Sequence, residues 1–178
     1  MILTPSVTQI VSPWVDFSRV PEGILNAASE RGSKAHHACS NRAMGLWSLE
    51  VPQDIRGYYD SFLRWFDPVV EEVLMVEDRL VDETLGFHGQ PDILVRSKHG
   101  EILLVDLKTP AALKRAWRLQ MSGYYRLVTI ATPWTPHRTG TLRLHPEGRI
   151  PKMDWFDESA EDFPMFLQAL NLYRYFNA

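Results

Sequence analysis

Gly89-Gln90-Pro91-Asp92-Ile93-Leu94-Val95 and Glu101-Ile102-Leu103-Leu104-Val105-Asp106-Leu107-Lys108, separated by the turn signal Lys98-His99-Gly100, decide how this chain folds. Gly86–Val95 reads as one strand ending in an apolar run, and Glu101–Lys108 as the next. The unbroken Ile102-Leu103-Leu104-Val105 predicts a central strand buried on both faces. Side chains alternate along a strand, so Asp106 and Lys108 share a face while Val105 and Leu107 take the other. They stand roughly 6.5 Å apart along the strand. Burying an acid and a base at the end of such a strand is costly without a purpose. If the two strands pair through the turn, Asp92 converges on Asp106.

The flanking segments supply the layers around this pair. Upstream, Val73–Leu80 reads as a further strand carrying Glu77. Residues 53–67 read as an amphipathic helix, with Ile55, Tyr59, Phe62, Leu63 and Phe66 at helical spacing and Pro68 to kink or end it. Residues 22–45 read as a second helix, and the proline-marked first twenty or so as an irregular arm with at most a short helix. Downstream, Pro110 ends the central strand, and residues 111–128 return to helical spacing through Leu113, Trp117, Met121, Tyr124 and Val128. Thr141–His145 and Arg149–Trp155 read as a hairpin around Pro146-Glu147-Gly148, and residues 159–175 as a last helix. The expectation is one α/β domain over residues 1–178, a mixed, partly antiparallel central β-sheet flanked by helices.

Composition narrows the class. At 45% hydrophobic and 23% charged, the chain has an ordinary globular balance. No apolar run approaches a membrane span. One cysteine, Cys39, excludes an intrachain disulfide, and the N-terminal segment lacks a signal-peptide pattern, so a cytoplasmic location is expected. Net charge is −3, but residues 111–149 carry seven Lys/Arg against Glu147 alone. That asymmetry suits either a local anion-binding face or an ordinary solvated one.

Two carboxylates at Asp92 and Asp106 are the hard oxygen donors that Mg²⁺ or Mn²⁺ prefers. Lys108 beside them can stabilise charge on a phosphate or position a water; the competing interpretation is a plain Asp–Lys ion pair. Gly89-Gln90-Pro91-Asp92, with Asp106-Leu107-Lys108 fourteen positions on, resembles the signature of PD-(D/E)XK nucleases. Gln120-Met121-Ser122-Gly123-Tyr124 resembles the Q-x-x-x-Y helix of their RecB-like exonuclease branch, and Arg31-Gly32-Ser33-Lys34-Ala35-His36 that branch's R-G-x-x-x-H helix. Pro5-Ser6-Val7-Thr8 and Gly140-Thr141-Leu142-Arg143-Leu144 add likeness to phage and prophage members.

The resemblance implies a restriction-endonuclease-like core and a Mg²⁺- or Mn²⁺-dependent deoxyribonuclease, an exonuclease of phage DNA recombination or processing. It implies Asp92, Asp106 and His36 as metal ligands, Lys108 as the catalytic lysine, and Gln120 and Tyr124 as a pair bracing the site or touching DNA. His37 beside His36 and Glu77 on its strand are rival or additional candidates. Arg115, Arg118 and Arg126, off the apolar stripe of their helix, are the expected contacts to linear or single-stranded DNA. A lone cysteine excludes that branch's four-cysteine cluster, and no G-x-x-x-x-G-K-[ST] loop occurs, so unwinding would fall to a helicase or recombination partner. A structure-specific endonuclease would use the same residues, and a catalytically silent DNA- or partner-binding module would keep the fold alone.

Overall fold

The computed structural model describes residues 4–15, 21–46, 50–109, 114–156 and 162–177. In chain order these form α1 (Val7–Val11, followed by a 3-10 turn at Ser12–Trp14), α2 (Glu22–Ala43), α3 (Arg56–Val69), β1 (Val70–Val76), β2 (Leu80–Asp82), β3 (Phe87–Gly89), β4 (Ile93–Ser97), β5 (Ile102–Lys108), α4 (Ala116–Ala131), β6 (Arg138–Arg143), β7 (Lys152–Phe156) and α5 (Asp162–Asn177). Five strands make one sheet in the order β1-β4-β5-β6-β7, and β2 and β3 make a separate pair. β5 and β6 run parallel, connected through α4, while the other neighbours in the large sheet are antiparallel. A parallel pair needs such a long crossover. The fold is mixed α/β, as the sequence pattern implies.

β5 is the spine. Every residue from Ile102 to Leu107 is buried. Ile102 and Leu104 join one core with Val7, Ile10, Met121 and Phe166, so α1, α4 and α5 cover that face. Leu103, Val105 and Leu107 join the other with Ala35, Cys39, Tyr58 and Phe62 from α2 and α3. On α3, Tyr58, Phe62, Trp65 and Phe66 form the buried stripe at helical spacing. Pro68 sits in its last turn, and β1 follows without a linker. Gly100 closes the β4–β5 turn at φ 84°, a backbone state that glycine adopts at little steric cost.

Two strand expectations need correction. Gly86–Val95 is two strands, β3 and β4, in different sheets. Pro91 has no N–H to give a ladder, so pairing breaks there. Val73–Leu80 likewise divides: β1 ends at Val76, Glu77 takes a positive φ of 51°, and the chain turns into the β2–β3 hairpin. The short helix allowed for in the first residues is α1. Ser6 and Gln9 form a reciprocal capping box, and Val7, Ile10 and Val11 of α1 are buried.

The hairpin strands also lie further apart in sequence than a tight turn at Pro146–Gly148 implies, because that segment is docked on α3. His145 N donates to Ser61 Oγ at 3.0 Å, and Arg64 Nε to Gly148 O at 2.6 Å. Pro110, Leu113 and the predicted start of the last helix lie outside the described residues. Among the described residues, no helix is long and apolar enough to cross a membrane.

Gly57 on α3 makes this docking testable, since a Cβ there would overlap the Pro146 carbonyl. Gly→Ala at an open helical site stabilises by about 0.4–1 kcal/mol. Gly57→Ala is expected instead to cost about 2–3 kcal/mol through overpacking. Gly23→Ala, whose Cβ meets nothing, serves as the control, and thermal melts of the two variants should shift in opposite directions.

Candidate active site

The β4–β5 register brings the acids together. Ile93 pairs with Val105, so Asp92, one residue before β4, falls opposite Asp106. Asp92 Oδ2 accepts the Leu107 amide at 2.6 Å. Asp106 is 3% exposed. Its Oδ2 lies 2.5 Å from Lys108 Nζ in an ion pair. Both carboxylates and Lys108 line one open cleft of about 520 Å³.

Gln120 and Tyr124, one turn apart on α4, are both buried against this cleft. Lys108 Nζ donates to Gln120 Oε1 at 3.0 Å, which fixes the amide's orientation because an ammonium has no acceptor. Gln120 Nε2 then points to Asp106 Oδ1 at 3.4 Å and Tyr124 Oη at 3.2 Å. Trp117 on the same helix places its ring 5.5 Å from Lys108 Nζ. Close approach of β3 to α4 depends on Gly89, where a Cβ would stand 2.8 Å from Tyr124 Cε1.

α2 contributes His36, half-buried, with Nδ1 3.5 Å from Asp92 Oδ2; His37 faces outward and does not line the cleft. Gly32 lets α2 pass the end of β5, its position 3.3 Å from Thr109 Oγ1 for a Cβ. Ser40, one turn beyond His36, donates to Glu77 Oε1 at 2.8 Å, tying α2 to the end of β1. Glu77 also lines the cleft, at its exposed rim.

The charges in this cluster move one another's pKa values. Burial pushes Asp106 up, the Lys108 charge pulls it down, and the neighbouring Asp92 charge adds to the rise, leaving it at about 6. Burial also acts to raise Asp92, but the His36 charge, its hydrogen bond, Lys108 and the Leu107 amide outweigh it and hold the carboxyl below its ordinary range. Burial disfavours charged His36, yet Asp92 reverses this and raises its pKa. Two acids sharing one site are thus pulled apart. Cys39 is buried beside them, and burial with the Asp92 charge drives its thiol far up, so it is no nucleophile.

The expected DNA-contact arginines lie elsewhere. Arg118 ion-pairs with Asp162 at 3.0 Å, and Arg126 with the buried Asp82 at 3.0 Å. Arg143 and Arg149 pair with Asp154 and Glu147. Much of the basic segment is therefore balanced within the chain. Arg115 is exposed at the start of α4 in a separate groove with Trp14 and Leu172. Sequence reasoning assigned no role to Ser6, Thr8, His88 and Gln90, which complete the cleft wall. Pro5-Ser6-Val7-Thr8 was marked by resemblance alone; no periodicity flagged it.

No family model and no curated protein matches the chain. A solved structure titled "Crystal structure of SSO0001" is similar over 99% of this chain and 77% of that one, at 12% identity and a TM-score of 0.48. So distant a likeness carries no argument about the site.

Whether a divalent cation fits is a question for the donors. Among the described residues, no three His, Cys, Asp or Glu side chains are arranged to hold a metal ion. The cleft does hold two carboxylates in register, Asp92 and the buried Asp106. Those donors suit a hard cation in kind.

Asp106 makes stability depend on pH. Its folded pKa is raised from 3.8 to about 6, so its contribution is present below the unfolded pKa and lost as pH rises through the folded one. Asp106→Asn imitates the protonated acid at every pH. In metal-free urea melts, the stability of Asp106→Asn relative to wild type should therefore increase between about pH 4 and pH 7. A pH-independent difference would contradict the shift.

Proposed function

We propose that this protein is a metal-dependent DNA nuclease of the PD-(D/E)XK class, RecB-like branch, with a restriction-endonuclease-like core. The observation that supports this reading best is the convergence of Asp92, Asp106, Lys108, His36, Gln120 and Tyr124 on one cleft from β4, β5, α2 and α4. These six were singled out from three separate sequence motifs. A simple ion pair at a sheet edge would need neither the second carboxylate nor the Gln120 clamp.

In this reading Asp92 and Asp106 would hold Mg²⁺ or Mn²⁺, with His36 as a further donor. The cation supplies charge neutralisation and Lewis-acid polarisation at the scissile phosphate. The chain's own groups do the rest. Lys108, 15% exposed and held by Asp106 and Gln120, keeps a fixed positive charge where negative charge grows on the phosphate as water adds to phosphorus and the P–O ester bond breaks. Gln120 holds Lys108 and Asp106 in mutual register, so neither has to reorganise during the reaction. Tyr124, neutral because burial and the Asp106 charge raise its pKa, adds no charge of its own. The role that follows is end-dependent digestion in phage DNA recombination or processing, with a helicase or recombination partner and a cytoplasmic setting.

Digestion of linear, circular and single-stranded DNA tests this. Linear DNA should be degraded with Mg²⁺ or Mn²⁺ and spared in EDTA. Asp92→Ala, Asp106→Ala and Lys108→Ala should each lower the rate at least about 100-fold. Cleavage of closed circles would favour the endonuclease reading, and undiminished cleavage by Asp106→Ala would remove the assignment altogether.

A further inference from the structure

α5 is apolar on two sides. Phe166, Ala169 and Leu170 face inward and join the core that α1 and α4 cover. The outward side carries Met165, Leu172, Tyr175 and Phe176 at 51, 44, 79 and 76% exposure. No charged residue occurs between Asp162 and Arg174. A helix apolar all round is ordinarily a buried helix, and a solvated face carries charges. Met165, Leu172 and Phe176 recur at helical spacing, so they form one stripe. The stripe borders a groove of about 710 Å³ lined by Trp14, Leu119, Met165, Ala169 and Leu172. Arg115 and the Arg118–Asp162 ion pair complete the lining, an apolar centre with polar groups around it.

We infer that two copies of this chain associate through α5, the helices antiparallel about a two-fold axis at Leu172, with Tyr175 and Phe176 of each filling the groove of the other. The stripe is self-complementary. Phe176 lies two turns beyond Gln168, which also lines the groove, roughly 12 Å along the helix. An axis midway between them, at Leu172, seats both aromatic ends in both grooves at once, the isologous arrangement of a closed dimer. Tyr175 and Phe176 pack edge to face with centroids 5.2 Å apart, so they present one block. At about 150–250 Å² for each large apolar residue, the exposed parts of Trp14, Met165, Leu172, Tyr175 and Phe176 come to roughly 600 Å² per chain. Covering that area on both chains exceeds the total of about 1,000 Å² that a specific interface needs. α4 turns Gln120 and Tyr124 to the cleft and Ala116 and Leu119 to the groove, so the dimer leaves both clefts open and is independent of the nuclease reading.

Sedimentation equilibrium of the full chain tests this. Wild type should be a dimer with a Kd of about 10 µM or tighter, the weak end for an interface of this size. Phe176→Asp carries a charge into the groove, and at 76% exposure the side chain is not needed for the core. The Kd should rise at least about 30-fold, as on losing a buried aromatic anchor. Met165→Glu, in the groove wall, should act likewise. Ile150→Asp, at 77% exposure but off the stripe, should leave the Kd unchanged. Trp14 reads the groove directly. Wild-type emission should shift to the blue as concentration rises through the Kd, and Trp14→Phe should lose that shift while still associating. Wild type that stays monomeric at about 100 µM overturns the dimer and leaves the stripe to a different protein or a lipid surface. So does an assembly of more than two chains, a dimer indifferent to both Phe176→Asp and Met165→Glu, or a dimer whose formation leaves Trp14 emission unmoved.

Discussion

Ile93 lies across from Val105, and that antiparallel register sets the geometry of the cleft. It puts Asp92 opposite Asp106 at the end of a strand whose other side chains make the two cores. A slip of one residue would turn every side chain of β4 to the opposite face and separate the acids. The register is strongly specified because both faces of β4 and β5 are covered. Leu94 and Leu104 pack toward α4, and Ile93, Val95, Leu103 and Val105 toward α2 and α3. The apolar pattern that stabilises the sheet is therefore also what aligns its polar end.

That alignment has a thermodynamic cost. Asp106 is buried beside a second carboxylate, and burial with the Asp92 charge raises its pKa. Lys108 and Gln120 offset part of the cost, and the Leu107 amide and His36 do the same for Asp92. A cluster selected only for stability would replace these groups with apolar ones of similar volume. Retaining them, with their pKa values driven apart, is what the proposed nuclease site requires.

Much of this was legible from sequence because it depends on period. The apolar run at Ile102–Val105 gave the central strand, and alternation within it put Asp106 and Lys108 on one face. Gln120, marked by the Q-x-x-x-Y resemblance, proves to be the link between Lys108, Asp106 and Tyr124. What escaped depends on long-range contacts. The β2–β3 hairpin uses three-residue strands, too short to show a pattern. The arginines of α4 look free in sequence, but Asp82 and Asp162, both 44 residues away from their partners, fold back onto Arg126 and Arg118. Ser6 and Thr8 carry no periodic signal and reach the cleft only because α1 packs on α4.

The most direct test of the central claim is a crystal of the protein soaked in Mn²⁺ and measured at the manganese edge. One strong anomalous peak is expected, bonded to both Asp92 and Asp106, with His36 drawn away from its contact with Asp92, and that peak should be lost in Asp106→Asn. An empty cleft at saturating Mn²⁺, or a peak that persists in Asp106→Asn, would contradict the claim.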